Sequence, residues 1–189
     1  MKETKKLTLS SVICALNVAL LALGAAFETL DLTICALTSL TIVFLCIEVR
    51  GAYPVGAWLV TSVLTFIFFP GKAIWAEYFL VFGSYPIAKD KIERLPRVFR
   101  VLLKLCFFFV SVTAILWLFG GLFGMPVFGS EENVSEFFFG LFPNLSYGVK
   151  LGMIYGVCLV CGVAYDLFIN VSLRLYFWKY RPKFARFLK

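Results

Sequence analysis

The chain has 189 residues, of which 61% are hydrophobic and 22 are phenylalanine. Soluble domains carry about 45–50% apolar residues and expose much of their surface to water, so this composition excludes an ordinary soluble domain. The formal net charge of +7 is carried beside apolar runs, a distribution that favours anionic lipid headgroups over nucleic acid as the partner.

Apolar runs predict an all-α, polytopic membrane bundle of about six transmembrane helices. In chain order the predicted spans cover residues 7–27, 30–49, 52–69, 74–88, 101–123 and 151–173. Six spans of about 20 residues use roughly 120 residues, so no soluble catalytic or nucleotide-binding domain fits beside them. We therefore predict one integral membrane domain over residues 1–189. The fourth span is short and carries Pro86, so we expect it to be kinked or to cross incompletely.

The distribution of lysine and arginine predicts the orientation of the helices. With a cytoplasmic N-terminus, all but two of the 18 basic residues fall in cytoplasmic loops and tails, and the exceptions are Lys72 and Lys150. Bacterial membrane proteins concentrate basic residues on the cytoplasmic side. The expected location is therefore the bacterial plasma membrane, with both termini cytoplasmic and the loop 124–147 outside.

The sequence contains no recognisable catalytic motif. It has no histidine, no phosphate-binding lysine loop and no G-x-S-x-G, so the usual histidine-centred acid–base and metal chemistry is excluded. A lipid-modifying activity based on carboxylates is the alternative that stays open. Cys158 and Cys161 form a C-x-x-C in the middle of a span, where packing of small apolar side chains is the preferred interpretation. We predict no enzymatic activity, no cofactor and no metal site.

Two predicted helices carry small residues at helical spacing. Ala15 and Ala19 lie on one face of the first span, and close helix contacts in lipid depend on small side chains. Packing inside the monomer and docking of another subunit remain equally open there. The sixth span repeats glycine every fourth residue at Gly148, Gly152 and Gly156, for which internal packing is preferred over dimerisation.

Asp166 is the most deeply placed charge. It lies about eight residues from the cytoplasmic end of the sixth span, roughly 12 Å inside the membrane. Because an unpaired carboxylate at that depth is costly, we expect a buried ion pair with Lys104, with Lys89 and Arg50 as alternatives. A structural ion pair is preferred over a proton or ion relay.

The fourth span carries an aromatic stripe. Its members are Trp75, Tyr78, Phe82 and Tyr85. Glu77 should lie near the outer surface, level with Glu28 and Asp31 of the first external turn. Small-molecule pockets combine aromatic walls with a few placed polar groups, so Glu28, Asp31, Trp75, Glu77 and Tyr78 are the candidate ligand-binding residues. An aromatic belt at the membrane interface, with Glu77 exposed to water at its edge, explains the same pattern equally well.

The layout resembles the substrate-binding S components of energy-coupling factor (ECF) vitamin transporters. The resemblance rests on the six predicted spans, the cytoplasmic ends, and Ala15-x-x-x-Ala19 within residues 5–27. Residues 82–95, Phe-Gly-Ser-Tyr-Pro-Ile-Ala-Lys-Asp-Lys-Ile-Glu-Arg-Leu, also look like a segment of uncharacterised bacterial membrane proteins of similar layout.

The resemblance implies a membrane subunit that binds a small, vitamin-like molecule in its outer half. A separate transmembrane coupling subunit and ATPases would then deliver that molecule, and Ala15 and Ala19 would form the docking face. The alternative is a scaffold of similar fold that transports nothing, as in the rod-shape-determining protein D family. A scaffold needs docking faces but no enclosed pocket.

Overall fold

The computed structural model describes residues 3–27, 30–49, 51–121 and 147–180, and within them the chain is all-helical, with no strand. The α-helices are α1 (Glu3–Ala26), α2 (Asp31–Glu48), α3 (Tyr53–Phe68), α4 (Ile74–Glu77), α5 (Ser84–Ile92), α6 (Arg97–Gly121) and α7 (Tyr147–Leu175). Two π-helical turns, Tyr78–Phe82 and Tyr176–Tyr180, follow α4 and α7 directly.

Within the part of the chain that the structure describes, four helices are long and apolar enough to cross a membrane. They are Glu3–Ala26, Asp31–Glu48, Arg97–Leu118 and Leu151–Lys179, and Tyr53–Phe68 is a shorter apolar helix. The all-α prediction is confirmed over the described residues, and this part of the chain has the composition of a membrane protein.

The turn between α2 and α3 depends on two residues. Gly51 has a φ of 74°, a left-handed conformation that glycine adopts without steric cost. Pro54 lies in the first turn of α3, where its missing N–H costs no helical hydrogen bond. The chain reverses there, and α3 returns along α1 and α2.

The helices share a core with two parts. In the first part, α1, α2, α3 and α4 pack around Ile13, Leu21, Cys35, Ile42 and Ile74. In the second, α5, α6 and α7 pack around the rings of Tyr85, Phe108 and Tyr165. Gly162 permits the second contact, because a Cβ there would lie 2.7 Å from the Phe108 ring.

The fourth helical segment is irregular before Pro86 rather than at it. Gly83 N–H donates to Tyr78 O at 2.7 Å, five residues back instead of the four of an α-helix. The skipped carbonyl of Phe79 accepts a hydrogen bond from the Trp58 indole at 3.2 Å. Gly83 is needed at this point, because a Cβ would lie 2.4 Å from Trp58 Cδ1.

Pro86 lies in the first turn of α5 and has a separate effect. It has no N–H to donate to Phe82 O, four residues earlier. The Tyr165 hydroxyl donates to that carbonyl instead, at 3.2 Å. The irregular segment is therefore connected to α3 through Trp58 and to α7 through Tyr165.

The π-turn divides the predicted aromatic stripe. Trp75 packs with α6, Tyr78 packs against α1 and α2, and Tyr85 packs with α6 and α7. A regular α-helix would place the three rings on one face. The extra residue in the turn rotates α5 relative to α4, so Tyr85 contacts different helices from Tyr78, while Phe82 packs against both groups.

The small-residue stripes are exposed within the described part of the chain. Ala15 and Ala19 face away from the core. A Cβ built on Gly148, Gly152 or Gly156 meets nothing within 4 Å, so these glycines do not pack against another described helix. The preferred interpretation of that glycine repeat, internal packing, has no support among the described residues.

Candidate functional site

The bundle holds two groups of buried polar side chains, and the first surrounds Asp166. We call it the charge cluster, and it consists of Tyr85, Lys89, Glu93, Lys104, Asp166 and Asn170. Its first three members recur every fourth residue from α5 to the C-cap of that helix, so they share one helical face. α6 supplies Lys104, and α7 supplies Asp166 and Asn170 one turn apart.

The Asp166 carboxylate accepts hydrogen bonds from four side chains. Oδ1 accepts from Lys89 and, at 2.6 Å, from the Tyr85 hydroxyl. Oδ2 accepts from Lys104 Nζ at 2.8 Å and from Asn170 Nδ2 at 3.3 Å. A carboxylate has about four acceptor sites, so these donors occupy all of them.

The charges of this cluster balance. Glu93 lies 3.5 Å from Lys89 and 3.9 Å from Lys104, which gives two lysines and two carboxylates. The side chains of Lys89, Asp166 and Lys104 are only 4%, 14% and 15% exposed. Buried charges that are fully paired stabilise one arrangement of their helices. Two lysines that each lie within 4 Å of two carboxylates form an ion-pair network, which is the structural interpretation that the sequence favoured.

The sequence identified part of this cluster. The structure brings Asp166 and Lys104 together, and it adds Lys89, which the sequence offered as an alternative. Arg50, the other alternative, lies outside the described residues. Tyr85 was missed because it was assigned to the aromatic stripe. The spacing of Tyr85, Lys89 and Glu93 was the signal that would have identified it.

The second polar group lies between α1, α3 and the π-turn. We call Asn17, Thr61 and Tyr78 the hydroxyl cluster, and each residue is fully buried. The Tyr78 ring closes it, with its hydroxyl near Thr61 and Asn17. Thr41 Oγ1 of α2 lies 2.7 Å from both Asn17 Oδ1 and Thr38 O, and its single hydrogen can be donated to either oxygen.

The remaining polar atoms of the hydroxyl cluster lie near one another but, among the described residues, form no hydrogen bond of normal geometry. Tyr78 Oη, Thr61 Oγ1 and Asn17 Nδ2 have no hydrogen-bond partner of normal geometry within the described part of the chain. A buried unsatisfied polar group typically costs about 1–3 kcal/mol. Asn17 and Thr61 were not among the predicted site residues, although an asparagine inside an apolar span is itself a signal of function.

Glu77 lies beside the hydroxyl cluster in sequence. Its Oε2 atom is buried without a hydrogen-bond partner among the described residues. Asp31 is close enough to interact with it electrostatically, as expected from their predicted common level. Glu28 lies outside the described residues.

Trp75 occupies a different environment from the other ligand candidates. It is 9% exposed, its ring lies 4.9 Å from Phe66, and its indole donates to Pro70 O at 3.3 Å. The structure thus brings together Asp31 and Glu77 and places Trp75 against α3 and α6. Four cavities formed by described residues have none of these side chains, nor Tyr78, in their walls.

The candidate docking residues border a groove on the surface. Ala15 lines a groove of about 520 Å³ between α1 and α3, together with Ser10, Ser11, Gly56 and Ala57. Ala19 continues the exposed face one turn farther along α1. Small side chains on both walls leave room for the close approach of another helix.

The cysteines remain free thiols where the structure describes them. Cys158 is partly buried and Cys161 is exposed on α7. Among residues 3–27, 30–49, 51–121 and 147–180, no three potential Cys, Asp or Glu ligands form a metal-binding group. Comparison of the chain with protein-family models, curated proteins and solved structures gives no match.

Proposed function

We propose that this chain is the membrane-embedded, small-molecule-binding subunit of an ECF-type importer without an ATPase of its own. The observation that carries the proposal is the unsatisfied hydroxyl cluster, together with the buried Glu77 carboxylate one residue before Tyr78 in the chain. Polar groups inside a membrane bundle are expensive, and they are retained mainly where they serve a function. A small polar ligand that hydrogen-bonds to Asn17, Thr61 and Tyr78 would offset their desolvation.

The two faces of α1 have different roles in the proposed function. Asn17 faces the core and the ligand, whereas Ala15 and Ala19 face outward beside the groove with α3. A transmembrane coupling subunit would dock on this outer face, and ATPases would bind that subunit. Substrate binding and assembly would then depend on different residues of the same helix.

Assembly is tested by steric blocking of α1. The variants Ala15→Trp and Ala19→Trp are compared with Val110→Trp, which places the same ring on an exposed position of α6. Tagged proteins are purified from native membranes, and co-purifying proteins are identified by mass spectrometry. We expect a transmembrane subunit and ATPases with the wild type and Val110→Trp, but not with the α1 variants.

Ligand binding is tested on the same preparations. Small molecules released from the folded proteins are identified by mass spectrometry. Glu77→Gln and Tyr78→Phe should each weaken binding about 10-fold or more, as expected when a ligand loses one hydrogen bond to a buried polar or charged group. The α1 variants should retain the ligand. A folded wild-type protein that carries no small molecule, with α1 variants that only unfold, would contradict the proposal.

The second candidate is a scaffold that transports nothing. It is favoured by the absence of Trp75, Glu77 and Tyr78 from the walls of the four cavities formed by described residues. A scaffold retains the docking face and needs no ligand. Loss of partner proteins from the α1 variants, with no small molecule in any preparation, would support the scaffold.

A further inference from the structure

We infer a phospholipid-binding site at the end of the bundle that carries α5, independent of the proposed transport function. The site begins with a cavity of about 550 Å³ between α2, α3, α5 and α7. This volume lies in the range of ordinary ligand sites. The inner wall is apolar and includes Cys46, Ile47, Ile87, Leu173 and Phe177.

A second, narrower groove lies beside this cavity. It has a volume of about 280 Å³, lies between α2 and α7, and is lined almost entirely by apolar side chains. The cavity and the groove share Val43, Ile47 and Leu173. An apolar groove beside a cavity with charged residues in its wall has the arrangement required by an acyl chain attached to a headgroup.

The outer wall of the groove is held in place by Tyr176. Its hydroxyl donates to Glu48 Oε1 at 2.9 Å, and its ring packs edge-on against Phe44 at 5.8 Å. These contacts join the π-turn after α7 to α2. The groove is therefore formed before any lipid enters, which lowers the ordering cost of binding.

The rim of the cavity carries the charges that a phospholipid headgroup requires. Lys91 makes no ion pair with a described residue, and Arg94 makes only an exposed pair with Asp90 at 2.9 Å. Exposed pairs of this kind contribute little and exchange easily. The headgroup phosphate binds between Lys91 and Arg94. Asp90, on the same rim, accepts an ammonium group where the lipid has one.

Lys89 is not part of the phosphate site, because it is committed to Asp166 and Glu93. A bound phosphate would therefore leave the charge cluster intact. Basic pockets between membrane helices on the cytoplasmic side bind lipid headgroups in this way. The acyl chain lies along Val43, Ile47 and Leu173, and the phosphate binds the two basic residues at the rim of the cavity.

The experiment measures binding of phosphatidylglycerol to the full chain in dodecyl maltoside micelles by native mass spectrometry. Lys91→Gln with Arg94→Gln should weaken binding about 30-fold, since each basic residue near an anionic headgroup contributes about fivefold. The matched control is Lys5→Gln with Arg97→Gln, which removes two exposed basic residues outside the cavity. The control should change affinity by less than about twofold, because neither residue contacts the headgroup.

Two further arms separate a lipid from a free phosphate. sn-Glycerol 3-phosphate, which has the phosphate and no acyl chain, should bind far more weakly than the lipid. Val43→Phe fills the shared wall and should weaken binding of the lipid, whereas Val63→Phe on the exposed face of α3 should not. Equal losses in the glutamine variants and their control would overturn the proposal, as would glycerol phosphate binding that matches the lipid.

Discussion

The charge cluster and the hydroxyl cluster both place polar atoms in the interior of an apolar bundle, but they satisfy them differently. Asp166 accepts hydrogen bonds from four side chains on three helices. Tyr78, Thr61 and Asn17 each have a buried atom without a partner among the described residues. A saturated cluster is complete without a ligand, whereas an unsatisfied one gains free energy when a ligand supplies the missing hydrogen bonds.

The two clusters also differ in the helices that supply their residues. The charge cluster uses regular α-helical spacing on α5 and α7, so donors and acceptors meet in register. The hydroxyl cluster takes Tyr78 from the start of a π-turn, the kind of irregularity that is frequent at functional sites. The irregular turn therefore positions Tyr78, whereas Asn17 and Thr61 come from the regular helices α1 and α3.

The largest effect is expected from Asp166→Asn. Removing the carboxylate charge leaves Lys89 and Lys104 buried together, which should destabilise the folded protein by about 3 kcal/mol or more. Stability is measured by unfolding in mixed detergent micelles.

The double-mutant cycle distinguishes pairing from independent effects. Asp166→Asn should lower the free energy of unfolding by a smaller amount when residue 104 is already Gln, because one unpaired charge is then absent. Lys89→Gln should couple to Asp166 more strongly than Lys104→Gln, since its side chain is only 4% exposed. Additive changes in both cycles would contradict the description of a saturated cluster.

The same substitution in the two clusters gives a matched comparison. Tyr85→Phe removes a donor to a carboxylate and should cost about 1.5–3 kcal/mol in the ligand-free protein. Tyr78→Phe removes a buried hydroxyl that has no partner among the described residues, so stability should be unchanged or higher. Unfolding of both variants is followed under identical conditions. Equal destabilisation would mean that the Tyr78 hydroxyl is bonded within the protein, and the contrast between the clusters would be lost.

Two glycines test the packing that supports each cluster. At Gly162, a new Cβ would meet the Phe108 ring, which packs on Tyr85 at 4.8 Å, so Gly162→Ala should cost about 1–3 kcal/mol. At Gly24, the new Cβ would meet the terminal methyl of Ile74, which can rotate away. Gly24→Ala should therefore cost less than about 1 kcal/mol when unfolding is followed in the same micelles. The reverse order would show that the first part of the core is the more rigid.

The sequence predicted the helices better than it predicted the candidate site. Apolar runs define helices because backbone groups inside a membrane must be satisfied within the helix itself. The partner of Asp166 was predictable because a charge at that depth needs one. The π-turn was not predictable from the sequence, because it depends on a tertiary contact. In that contact the Trp58 indole of α3 donates to the released carbonyl of Phe79.

Two causes explain why the sequence did not identify Asn17, Thr61 and Tyr85 as members of these clusters. Asn17 and Thr61 lie in different apolar runs, and their spacing in the sequence gives no sign that they meet. Tyr85 and Tyr78 were assigned to one face because a regular helix was assumed. A single additional residue in the turn separates them into different clusters.

The smallest effect concerns Tyr165, which lies between the two regions. Its hydroxyl donates to Phe82 O, the carbonyl that Pro86 leaves without a donor. Tyr165→Phe should cost about 0.5–1.5 kcal/mol. In a Pro86→Ala background the restored N–H of residue 86 can bond Phe82 O, so the same substitution should cost close to nothing. Tyr155→Phe, which removes a hydroxyl near Thr113, should cost the same in both backgrounds. If the cost of Tyr165→Phe does not depend on residue 86, the tyrosine stabilises the junction through its ring contacts and not by replacing the missing donor.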